Sequence, residues 1–153
     1  MTMFKLHGVK KMMLTEVILE AEYADIIITL LKPPYEISSI TKLIFIAFCV
    51  KNETNQSKYK NRTKDFVDVF MSNVSLKLTA HNQEIMKIIS VIDKLNKSSK
   101  VSISEDEIRL THEFDFQTES GFLKFCKTKN PNPINEVNKL DPKALIEEVL
   151  RYV

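Results

Sequence analysis

Apolar residues recur along this chain in blocks whose spacing separates helix from hairpin. Ile85, Ile88, Ile89, Ile92 and Leu95 line one face of an α-helix. Thr79 stands where an N-cap belongs, and Asn96-Lys97-Ser98-Ser99 ends the pattern, so the spacing predicts one long helix from Thr79 to Asn96. Val101-Ser102-Ile103 and Ile108-Arg109-Leu110 then alternate apolar with polar. Ser104-Glu105-Asp106-Glu107 lies between them, and the pair reads as a hairpin.

Upstream, Thr15 to Leu31 predicts a first helix. Its apolar residues, from Val17 to Leu31, cover more than one face, so it packs on several sides or offers a spare face to a partner. The β-branched run Ile26-Ile27-Ile28 leaves a strand open as the alternative. Pro33-Pro34 stops the element. Ser38 or Ser39 can cap a second helix, Ile40 to Lys51, which is apolar at every position from Leu43 to Val50 and therefore central. A polar, basic stretch to Lys64 reads as an exposed loop. Phe66, Val67, Val69 and Phe70 predict a short helix, roughly Lys64 to Asn73, with Val74 to Leu78 as its connection onward.

Beyond the hairpin, Thr111 to Thr118 could extend the second strand, with Phe114 and Phe116 on one side. Phe122, Leu123, Phe125 and Cys126 suggest a short helix, and Ile134 to Leu140 a weak one after the Asn130-Pro131-Asn132-Pro133 turn. Asp141-Pro142 starts a last helix carrying Leu145, Ile146, Val149 and Leu150, with Tyr152 at its end. The expected architecture is a single mostly α domain over 1–153, α+β only through a small hairpin. A winged-helix-like core spans about 38–118, flanked by an N-terminal helix over 15–31 and a helical segment over 119–153.

Composition changes this picture mainly by exclusion. The 153 residues, 44% hydrophobic and 27% charged, suit one soluble domain with a real core. Twenty-two basic against 20 acidic side chains leave +2, a small excess for a dedicated nucleic-acid binder. Two distant cysteines argue for a reducing compartment. Met1 to Val9 has no apolar signal core, and no apolar run reaches the ~20 residues of a membrane helix, so the expectation is a cytoplasmic protein with no membrane partner. Gly8 and Gly121 are the only glycines. Walker A loops, dinucleotide fingerprints and nucleophile elbows need local glycine patterns, and none is present.

Candidate chemistry is sparse. His7, His81 and His112 are far apart, and His112-Glu113 with Asp115 reads more simply as solvated strand than as a metal site. Cys49 and Cys126 sit in apolar contexts, as small hydrophobes do. We therefore expect no enzyme, cofactor or metal. Nucleic acid is the serious rival. In a DNA-reading winged helix the helix before the hairpin enters the groove. Here its expected exposed face, Gln83, Glu84, Lys87, Ser90, Asp93, Lys94 and Lys97, is mixed in charge. Glu105, Asp106 and Glu107 at the hairpin tip would oppose phosphates, at a cost on the order of 3 kcal/mol per like-charge pair at ~5 Å and an effective dielectric of ~20, before salt screening. Val101 to Ser120 holds six acids and one Arg. A protein partner suits that tip better. Leu145, Val149 and Tyr152 on the last helix are further candidate interface positions. Lys58, Lys60, Arg62 and Lys64 form a candidate phosphate-contact loop.

From Ser38 to Leu110 the blocks Ser39-Ile40-Thr41-Lys42-Leu43-Ile44-Phe45-Ile46-Ala47-Phe48, Phe66/Phe70, Glu84 to Leu95 and the hairpin carry a resemblance. The pattern is similar to the small middle component of bacterial ABC three-component systems, among them the accessory subunit of Lamassu-type defence complexes. The long basic loop departs from compact members. The resemblance implies a non-catalytic subunit beside an SMC/Rad50-like ATPase. Such a subunit couples that ATPase to an effector, often a nuclease, in antiviral defence, with DNA met through the complex. The alternative expectation is a winged-helix transcription regulator.

Overall fold

A computed structural model describes residues 3–52, 66–115, 118, 120–129 and 132–151, and the described chain is mostly helical. Its elements in order are α1 (Met3–Leu31), α2 (Ile40–Asn52), α3 (Phe66–His81), α4 (Gln83–Lys97), β1 (Val101–Ser104), β2 (Glu107–Leu110), α5 (Gly121–Lys127), α6 (Pro133–Asn138) and α7 (Pro142–Arg151). Among these helices none is long and apolar enough to cross a membrane.

The centre is α2. Leu43 and the whole run Ile46 to Val50 are buried, and α1, α3, α4, α5 and α7 all pack on it. A helix apolar all round needs partners on every side. Its first amides are capped by Ser39, whose Oγ accepts from Lys42 N at 3.3 Å.

α1 has two regimes. From Tyr23 onward, Tyr23, Ile26, Ile27, Ile28, Leu30 and Leu31 are buried against α2 and α4. Packing on several sides holds the Ile26–Ile28 run in a helix despite its β-branching. From Met13 to Ile18, by contrast, six successive residues are exposed. The helix also begins earlier than Thr15.

The α3–α4 boundary differs from the sequence expectation. α3 does not stop at Asn73, and Val74 to Leu78 is helix rather than connection. Val74 and Ser75 are buried, and Ser75 Oγ donates to Val149 O at 2.9 Å, so contact with α7 carries the helix through. Thr79 is therefore no N-cap. It lies in the last turn of α3, donating from its hydroxyl to Ser75 O at 3.3 Å. Asn82 alone separates the two helices. α4 buries Ile88, Val91, Ile92 and Leu95, and Ile89 points outward instead. Its end is a Schellman motif: Lys100 N donates to Leu95 O and Ser99 N to Asn96 O, with Ser99 at φ 62° where glycine is usual.

β1 and β2 pair antiparallel from Val101↔Leu110 to Ser104↔Glu107. Val101 and Ile108 turn into the core. The second strand does not extend past Leu110. Thr111 closes the ladder instead, its amide donating to Lys100 O and its hydroxyl to Ser99 O at 2.6 Å. Phe116 lies outside the described residues. α5 and α6 are capped by Ser120 and Asn132, and Leu145 and Val149 seat α7 on the core.

Candidate protein-interaction surface

The hairpin turns through a two-residue loop, Glu105-Asp106, with Glu105 at φ 56° in the left-handed region. Asp106 faces back to the start of α2. One carboxylate oxygen accepts from Ser39 Oγ at 2.7 Å. The other accepts from Thr41 N at 3.2 Å and Thr41 Oγ1 at 3.0 Å. Ile40 N donates to Asp106 O and Ile108 N to Ser38 O, both at 2.8 Å, so the segment before α2 adds a short third rung to the hairpin. Partial desolvation pushes the Asp106 carboxyl up. The hydrogen bonds from Ser39 and Thr41, with the nearby Lys42 charge, outweigh it and hold the group below the usual aspartate value.

The three tip acids thus have three different situations. Asp106 is a long-range cap on α2. Glu107 pairs with Arg109, accepting from Nε at 2.9 Å and from a second guanidinium nitrogen. Glu105 is exposed and has no partner among the described residues. Leu145 and Val149, also candidates for contact, are core residues. Tyr152 and the loop residues Lys58, Lys60, Arg62 and Lys64 lie outside the described residues.

α4 carries the more informative surface. Glu84, Lys87 and Lys94, expected on its solvent face, turn toward α1. Glu20 of α1 sits 2.7 Å from Lys94 Nζ and 3.7 Å from Lys87 Nζ. The Lys94 hydrogen bond, with the charges of both lysines, overcomes partial burial and lowers the Glu20 pKa. Glu84 accepts from the buried Tyr23 hydroxyl at 2.5 Å, with His81 Nδ1 at 3.7 Å. Burial first, and Glu84 second, push the Tyr23 phenol far above its usual range, so it stays a neutral donor. Lys97, the third lysine of the expected face, pairs with Asp93 at 2.9 Å. What remains outward is Gln83, Met86, Ile89, Ser90, Lys94 beside Glu20, and the Asp93–Lys97 pair, with Met86 68% and Ile89 42% exposed.

Among the described residues no group of three or more His, Cys, Asp and Glu converges as a metal site, and Cys49 and Cys126 are both buried thiols. An open cleft of about 560 Å³ lies between the end of α1 and the hairpin exit, lined in part by Lys32, His112, Glu113, Phe114 and Asp115. The His112 and Phe114 rings lie 4.1 Å apart. His112, Glu113 and Asp115 are exposed to solvent. Sequence reasoning missed the Glu20 pairings. The signal was present: Lys87 and Lys94 are seven apart, hence on one flank of a helix. No family profile, curated protein or solved structure matches this chain.

Proposed function

We propose that this chain is a non-catalytic adaptor subunit that links an SMC-like ATPase to an effector, a nuclease by the resemblance, in a bacterial defence complex. Its core is winged-helix-like, formed by α2, α3, α4 and the hairpin, with the extra rung placed before α2. The observation that carries the reading is the outward face of α4. A helix that reads DNA presents free cations and donors to the groove. This one presents Met86 and Ile89, and each lysine on or beside it stands next to an acid, Lys87 and Lys94 near Glu20 and Lys97 near Asp93, so the face carries little net positive charge. Burying two such apolar side chains, already partly covered, against a protein contributes on the order of 1 kcal/mol each, whereas a phosphate backbone gains nothing from them.

Co-purification from the native host tests it. The tagged chain is expected to retain an SMC-like ATPase encoded beside it, and a Met86→Glu/Ile89→Lys variant to lose it at least tenfold. A chain that retains no such ATPase, and instead holds promoter DNA in a site-specific, salt-dependent way, is a transcription regulator and not an adaptor.

A further inference from the structure

We propose that the outward side of α5 and the turn after it hold the phosphate backbone of duplex DNA without reading its bases. Phe122, Leu123 and Cys126 are buried and fix how the helix lies on the core. At about 100° per residue, Lys124 and Lys127 fall outside the arc those three span, about 4.5 Å apart along the axis. Both are exposed. Just beyond the helix, Lys129 Nζ stands 5.2 Å from the centre of the Phe125 ring. Three ammonium groups thus surround one helix end. No acid lies between Gly121 and Asn135, and α2, on which α5 packs, has none between Ile40 and Asn52.

These cations are left open where others are neutralised. Lys51, Lys87, Lys94, Lys97, Arg109 and Lys139 each pair with a carboxylate of the chain. Among the described residues Lys124, Lys127 and Lys129 have no acidic partner. The carbonyl end of α5 answers only about half a charge of the three. The surroundings say which anion suits the remainder. No large apolar side chain is exposed on α5, whereas a protein interface is anchored by dehydrated apolar groups and is poor in lysine. A membrane-surface helix adds an apolar face to its lysines, and α5 spends its apolar face on the core. Phe125 is half-buried with Lys129 over its ring, so it offers no platform to an unstacked base. What is left is attraction to dense charge. A DNA duplex carries one phosphate charge per ~1.7 Å and releases condensed counterions to such cations. This contact is separate from the α4 face and does not depend on the adaptor reading, which stands or falls on retention of the ATPase.

Fluorescence anisotropy of a labelled random-sequence DNA duplex with the purified full chain tests it. Binding is expected at about 50 mM salt and should weaken roughly 40-fold by about 200 mM, the dependence of three phosphate contacts. Lys124→Glu/Lys127→Glu is expected to weaken it at least tenfold at the lower salt, with the helical circular dichroism unchanged, and to flatten the salt dependence. Lys97→Glu, on α4, is expected to stay within twofold. Polyglutamate of equal total charge and phosphatidylserine vesicles are expected to compete poorly. A chain that does not hold the duplex at about 50 mM salt overturns the proposal. So does a double variant that binds as before, a Lys97→Glu variant that loses as much, or either competitor displacing the duplex as well as unlabelled DNA does.

Discussion

Two apolar stretches of this chain have opposite fates. Leu43 to Val50 in α2 is covered by five helices, and Met13 to Leu19 in α1 lies open except at its last residue. Their apolar content gives little warning of the difference. What separates them is position. α2 starts at a polar clamp of Ser39, Thr41 and Asp106 and is pinned at the centre, whereas α1 joins the body only where Glu20 meets α4. Apolar sequence therefore marks surface to be covered, and topology decides whether this chain covers it.

The contrast is broken most severely in the centre. Phe48→Ala empties a fully buried site and is expected to destabilise the fold by about 3–5 kcal/mol in urea denaturation. Val17→Ser is expected to stay within about 0.5 kcal/mol. Equal costs would mean that the two stretches share one environment. The polar clamp comes next. Asp106→Ala is expected to lose about 1 kcal/mol by removing the cap on α2. Because the Asp106 pKa is lowered on folding, its contribution is full above the unfolded value near 4 and fades as pH falls through the folded value. The wild type should therefore lose stability below about pH 4 more steeply than Asp106→Ala, as read by thermal melts across pH. The smallest effect belongs to the junction. Glu20→Gln removes an exposed ion pair with Lys94 and is expected to cost less than about 1 kcal/mol, a difference that added salt should erase.

Much of the fold was legible because its signals are local. The spacing of Ile88, Ile92 and Leu95, the alternation of Val101 to Leu110, the Ser39 cap and the Asp141-Pro142 start each fix an element within a few residues. The misread boundary at Thr79 has a non-local cause. Ser75 is held by Val149, 74 residues away, and that contact carries α3 through a stretch whose own composition suggested a link. The interaction surface divides in the same way. That the hairpin tip is acidic can be read directly, but that Asp106 spends its carboxylate on α2 cannot, because donor and acceptor are 65 positions apart. Likewise Lys94 looks solvent-facing until Glu20, 74 positions earlier, is placed beside it.

That separation of 65 positions matters for how the protein is made. As the chain leaves the ribosome, α2 emerges with its two leading amides, those of Ile40 and Thr41, unclaimed. The acid that claims them is translated only after α3, α4 and β1. A nascent fragment ending before Asp106 caps the start of its central helix by Ser39 alone, and the hairpin's arrival supplies the remaining acceptors there.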